Sequence, residues 1–235
     1  IGRGLYEDKV ANLWCSISPI FKLQYFAEQP VVIRICLVAT LLGMAPAAVA
    51  LLRSFWRFAK RGESTLSPTR LTFIIGTTCI AWSFFFFSFH VHEKSVLLPM
   101  MPMTLLFAKS PTLVTVANFI STLSMLPLLM RDGHEYSCLA LSIAHVLLSI
   151  AVTKREEMSK VVVSLASLLP LLAYSLSKLL TPPAHYPDIF TLFLTATCFG
   201  ILALCWLVLH LQIYLLDSFS AISTTPKKTQ QLKKN

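Results

Sequence analysis

The sequence predicts an all-α integral membrane protein of about seven transmembrane helices. Hydrophobic residues make up 55% of the 235 residues, and charged residues only 13%. A soluble domain carries roughly a quarter charged residues. The mean hydropathy is +0.69. The apolar residues also fall in runs too long for barrel strands. In lipid every backbone N–H and C=O must be bonded internally, which a helix achieves within a single segment.

Residues 1–30 precede the first apolar run and read as a loop with an interfacial helix. Arg3 to Cys15 mixes both charge signs with aromatic residues, so Trp14, Phe21, Tyr25 and Phe26 can lie at headgroup depth while Glu7, Asp8 and Lys9 face water. Surface-lying helices favour Lys and Arg, so the acids packed beside the bases call for a further reason. The opening Ile-Gly-Arg-Gly, without an initiator Met, reads as the start of a fragment or processed product.

Seven apolar segments follow, at 31–52, 71–89, 96–108, 111–130, 137–153, 160–181 and 189–216. About 20 helical residues at 1.5 Å each cross the ~30 Å hydrocarbon core. By that measure 137–153 is marginal and 189–216 must tilt or run into the interface. Segment 96–108 is short and carries Pro99 and Pro102; it reads as a broken span or as a re-entrant partner of 111–130. The basic tail 217–235 suits anionic lipid. Cys36, Cys79, Cys138, Cys198 and Cys205 lie inside apolar runs as small hydrophobes, and only Cys15 stands outside them, so no disulfide framework is expected.

Positive charge orients the spans. With residues 1–30 outside the cytosol and seven crossings, the cytosolic pieces 53–70, Lys109, 154–160 and 217–235 hold most of the Lys and Arg. The opposite side holds Arg3, Lys9, Lys22, Lys94 and Arg131. Arg34 and Lys178 stand near helix ends, where they can snorkel. Six crossings would put several basic loops on the wrong side.

This orientation gathers four polar stretches on the non-cytosolic face. Two read as solvated loops: 131–135, with its Asp132-Gly133 turn dipeptide, and 182–188, a stiff Pro-rich loop with an interfacial Tyr186. The third is His92-Glu93-Lys94, where a long apolar run ends in three consecutive ionisable side chains. Each charge would cost ~2.5–3.5 kcal/mol at the bilayer centre, so the cluster belongs at a surface or in a polar cavity. A plain turn would use Asn, Gly or Ser. The fourth is the Arg3–Lys9 stretch itself.

These residues carry a resemblance. Arg3-Gly4-Leu5-Tyr6-Glu7-Asp8-Lys9-Val10-Ala11-Asn12-Leu13-Trp14-Cys15 and Val91-His92-Glu93-Lys94-Ser95-Val96-Leu97 resemble two elements of the endoplasmic-reticulum dolichyl-phosphate-glucose glucosyltransferases, in the same order and after the same Phe-rich run. Met125-Leu126-Pro127-Leu128-Leu129 resembles a later, less specific stretch of that family. Within it the likeness is to the branch that adds the first glucose. The branch adding the second carries a different element where Glu7-Asp8-Lys9 stands.

The resemblance implies the C-terminal half of a GT-C-type enzyme in the endoplasmic-reticulum membrane, with a luminal active face and a cytosolic C-terminus. It implies dolichyl phosphate glucose as donor, a lipid-linked oligosaccharide as acceptor and inverting transfer into an α-1,3 linkage. The family's catalytic acid lies in the other half and matches no residue here, so no catalytic residue is expected in this chain, which alone should be inactive. Arg3, Glu7, Asp8, Lys9, His92, Glu93 and Lys94 are the expected substrate-binding residues. No Asp-x-Asp or other metal-ligand spacing is present, so no metal is expected; nor is any cofactor or nucleic-acid partner, while membrane lipids are. The alternatives are the paralogue adding the second glucose, a non-catalytic membrane subunit, or a transporter, which would place charges within its spans.

Overall fold

The computed structural model describes residues 9–19, 21, 25, 27–61, 66–153 and 159–222. Among these residues it is helical, without strands: α1 (Leu13–Ile17), α2 (Gln29–Arg61), α3 (Leu66–Phe87), a 3₁₀ turn at Glu93–Val96, α4 (Leu97–Thr104), α5 (Pro111–Ser124), α6 (Leu126–Arg131), α7 (Glu135–Val152), α8 (Lys160–Leu179) and α9 (Ile189–Ile222). Five of them, α2, α3, α7, α8 and α9, are long and apolar enough to cross a membrane. The protein is an all-α membrane protein.

Two expected segments take a different form. Segment 96–108 contains α4, whose eight residues rise about 12 Å, followed by tighter turns such as Leu106 N to Met103 O at 3.0 Å. Segment 111–130 divides into α5 and α6 at Met125, because Pro127 at the start of α6 has no N–H to continue the α5 ladder. Met125 N instead closes a tighter bond to Thr122 O at 3.1 Å.

α2 and α3 form the closest antiparallel pair, brought together by glycine. A Cβ on Gly43 would lie 2.7 Å from the Phe87 ring, and one on Gly76 would lie 2.6 Å from Leu51 Cγ. Lipid tails are as apolar as Leu, so membrane helices associate through such close packing. The aromatic centre of the bundle sits beside this crossing. Trp82 stacks on Phe86 with centroids 5.1 Å apart, and Phe199 of α9 meets Phe86 edge-on at 5.4 Å. The Trp206 indole of α9 donates to Cys79 O and Ser83 Oγ of α3, both at 3.2 Å. Leu141, Leu147 and Leu148 of α7, with Leu165 and Leu168 of α8, are exposed on the surface of the bundle, as lipid-facing side chains are.

Polar contacts gather at the two ends of the bundle. At one end Arg57 pairs with Asp217 of α9, Arg53 lies 3.6 Å from the same carboxylate, and Ser159 N donates to Thr112 Oγ1 at 3.0 Å. At the other lie the contacts of the candidate site. The cysteines are unbridged, and all except the half-buried Cys138 are buried.

Candidate functional site

Val10 to Asn12, just before α1, are packed into the bundle. Val10 and Ala11 are each 1% exposed and belong to the main core. Asn12 caps α1, its Oδ1 accepting from Cys15 N at 2.9 Å, as a short polar side chain does at a helix start. Trp14 is 4% exposed, and its indole N–H donates to Phe87 O at 2.9 Å. Within the described part of the expected interfacial helix, α1 is five residues long and Trp14 is turned into the bundle. The cause is a match of unmet needs. A buried indole needs an acceptor, and Phe87, the last residue of α3, has a carbonyl with no partner in its own helix. Arg3, Glu7 and Asp8 lie outside the described residues. Lys9 is described, and its ammonium pairs with the carboxylate of Asp188.

The second element follows directly from that carbonyl. After Phe87 the backbone leaves the helix, is extended at His92 (φ −96, ψ 157) and enters the 3₁₀ turn, where Ser95 N donates to His92 O at 2.9 Å. Val96 anchors the turn by complete burial. This anchoring leaves His92 and Lys94 exposed and Glu93 half-buried on the outer side. Beside them is a small cleft of about 150 Å³ whose lining includes Ser88, His90, Ser95, Phe84 and Phe85. On this turn the imidazole and the ammonium can donate to oxygen atoms, while the Glu93 carboxylate can only accept. The Trp14–Phe87 hydrogen bond joins the first element to the segment leading into this turn.

The sequence reading missed three polar residues. Glu135 and Asp188 stood in stretches read as solvated loops, yet each is half of an ion pair. Glu135 is 8% exposed, and both its carboxylate oxygens accept from Lys178 Nζ at 2.7 Å. The signal was available: Glu135 begins an apolar run and Lys178 ends another, and two such misfit charges are cheapest when paired. Asp188 directly precedes α9, its carbonyl accepting from Leu192 N at 2.9 Å. The third is His145, in the middle of α7, whose Nε2 lies 3.0 Å from Asn118 Nδ2 of α5. Clefts of about 540 and 310 Å³ both include this pair in their linings. Such polar pairs hold membrane helices together, and one His interrupting an apolar run is their mark.

Residues 1–209 match the model of the ALG6, ALG8 glycosyltransferase family. The chain is 38% identical over 133 residues to the dolichyl pyrophosphate Man9GlcNAc2 alpha-1,3-glucosyltransferase of Gallus gallus, covering 57% of this chain and 24% of that protein. It is 39% identical over 132 residues to the Mus musculus protein of the same name, covering 56% and 24%. A Drosophila melanogaster relative, whose name adds only "Probable", is 27% identical over 205 residues, covering 85% and 40%. The chain thus spans less than half the length of these relatives. With both motif elements inside the matched residues, this chain belongs to the ALG6, ALG8 glycosyltransferase family.

Proposed function

We propose that this chain is the C-terminal half of an endoplasmic-reticulum glucosyltransferase that moves glucose from dolichyl phosphate glucose to a lipid-linked oligomannose, and that the branch is the one adding the first glucose. The family match and the Man9GlcNAc2 acceptor in the relatives' names support this reading. The observation that carries it is the Trp14–Phe87 hydrogen bond, which fastens the first motif element to the approach of the second.

In the proposed reaction the acceptor mannose 3-hydroxyl oxygen attacks C1 of the glucose. The C1–O bond to phosphate breaks with inversion, turning a β-linked donor into an α-1,3 product. The hydroxyl proton passes to a carboxylate base outside this chain. Dolichyl phosphate leaves with an added negative charge, which cations fixed beside it stabilise. His92 and Lys94 supply that charge from the turn, and Arg3 supplies a two-pronged donor from the first element. Glu93 orients Lys94 or accepts a sugar hydroxyl; Glu7, Asp8 and Lys9 complete the pocket. The site faces the lumen, and the C-terminus is cytosolic.

The test is transfer by the intact enzyme containing this chain. His92→Ala or Lys94→Ala lowers transfer by ~10²-fold with folding preserved, whereas Arg131→Ala and His134→Ala change it little. Equal small effects at all four positions would return the cluster to an ordinary solvated turn.

A further inference from the structure

Lys9 was expected to meet the substrate, yet its ammonium is engaged by a residue far along the chain. The pair is 35% and 53% exposed on its Lys9 and Asp188 sides. An ion pair so exposed contributes little to stability, which leaves its geometric effect to explain. Val10, Ala11 and Trp14, the residues after Lys9, are buried, and Trp14 is bonded to the end of α3. The segment is therefore fastened at two points: to the C-terminus of α3 through Trp14, and to the N-terminus of α9 through Lys9. Trp14 fixes how deep the segment sits. Lys9 and Asp188 fix the direction from which the chain enters it.

We propose that Asp188 is a positioning residue of the transferase site, acting through Lys9 to hold the start of the Lys9–Trp14 segment against the start of α9. This rests on the function proposed above and reassigns one residue within it: Lys9 serves the site by holding Asp188, not by touching the substrate. Asp188 also directly precedes α9, where an acid is favoured for capping and for the helix dipole alone. The test must separate that local role from the pairing. Asn caps as well as Asp but carries no charge, so Asp188→Asn keeps the helix start and removes the pair.

In the intact enzyme, Asp188→Asn and Lys9→Met each lower kcat/KM about tenfold, mainly through a raised KM for a lipid-linked substrate, with an unchanged unfolding temperature. The double variant is also about tenfold down, not about a hundredfold, because two residues acting through one contact are not additive. Lys9→Arg retains most activity. A crosslink between cysteines placed at positions 9 and 188 gives a readout independent of transfer. Multiplicative losses, a normal rate for Asp188→Asn, or failure of the crosslink would overturn the proposal. Absence of transfer by the unaltered protein, with the crosslink formed, would instead sink the function on which it rests.

Discussion

The residues that matter at the candidate site are legible to different degrees, and the reason is how far each partner lies along the chain. His92-Glu93-Lys94 stands out in sequence because its cost is local: three ionisable groups break a run that lipid would otherwise accept. Asp188 and Glu135 do not stand out. Each stands at a helix start, where an acid is ordinary, and the fold names Lys9 as the partner of Asp188 and Lys178 as that of Glu135. Trp14 is legible only in part. An aromatic among charges reads as an interfacial anchor, while its hydrogen-bond acceptor belongs to another helix. At this scale the first element separates anchor from pocket by geometry: Arg3→Lys keeps charge but loses the paired-donor fork. In the intact enzyme Arg3→Lys therefore cuts transfer several-fold with membrane insertion unchanged. Wild-type rates for both Arg3→Lys and Asp8→Glu would show the element to be an anchor.

Among the elements, the long apolar helices could be read from composition and run length, and their ends could not. α2 continues to Arg61, well past the apolar segment ending at residue 52, because Arg53 and Arg57 find Asp217 of α9 beyond the apolar stretch. The break between α5 and α6 is written in Pro127, but the apolar run around it is otherwise continuous and hides it. The α7–α8 pair supplies a prediction here. Lys178→Met leaves the Glu135 carboxylate 8% exposed and without its ammonium, a loss of about 1–2 kcal/mol once the half-open surroundings of Lys178 are allowed for. Adding Glu135→Gln recovers much of it. The unfolding temperature of the single and double variants in detergent checks this, and equal losses in both would refute it.

For the whole molecule, the class of fold followed from composition, since no soluble arrangement hides so much apolar surface. How many segments cross, and in which direction, rests on the charge distribution instead. The expected sidedness puts Lys60, near the end of α2, on the cytosolic side and His185, before α9, on the luminal side. Cysteines at these two exposed positions should label from opposite faces of sealed microsomes, Lys60→Cys from outside the vesicle. Labelling of both from one face would refute the odd number of crossings between them.

Phe87 has two duties that are easily taken for one. Its ring fills the space left open by Gly43, and its carbonyl receives the Trp14 indole. Any side chain added at position 43 presses on that ring, so the ring must rotate or α2 must move away from α3, and a shift of the end of α3 would carry the carbonyl with it. A variant such as Gly43→Val would then present itself in a mutational scan as an enzymatic defect, although the altered residue lies in a helix crossing and touches no substrate. Clinical or evolutionary readings of this chain should accordingly treat positions 14, 43 and 87 as a single locus. A smaller side chain at 87 is the natural place to look for a suppressor of bulk at 43.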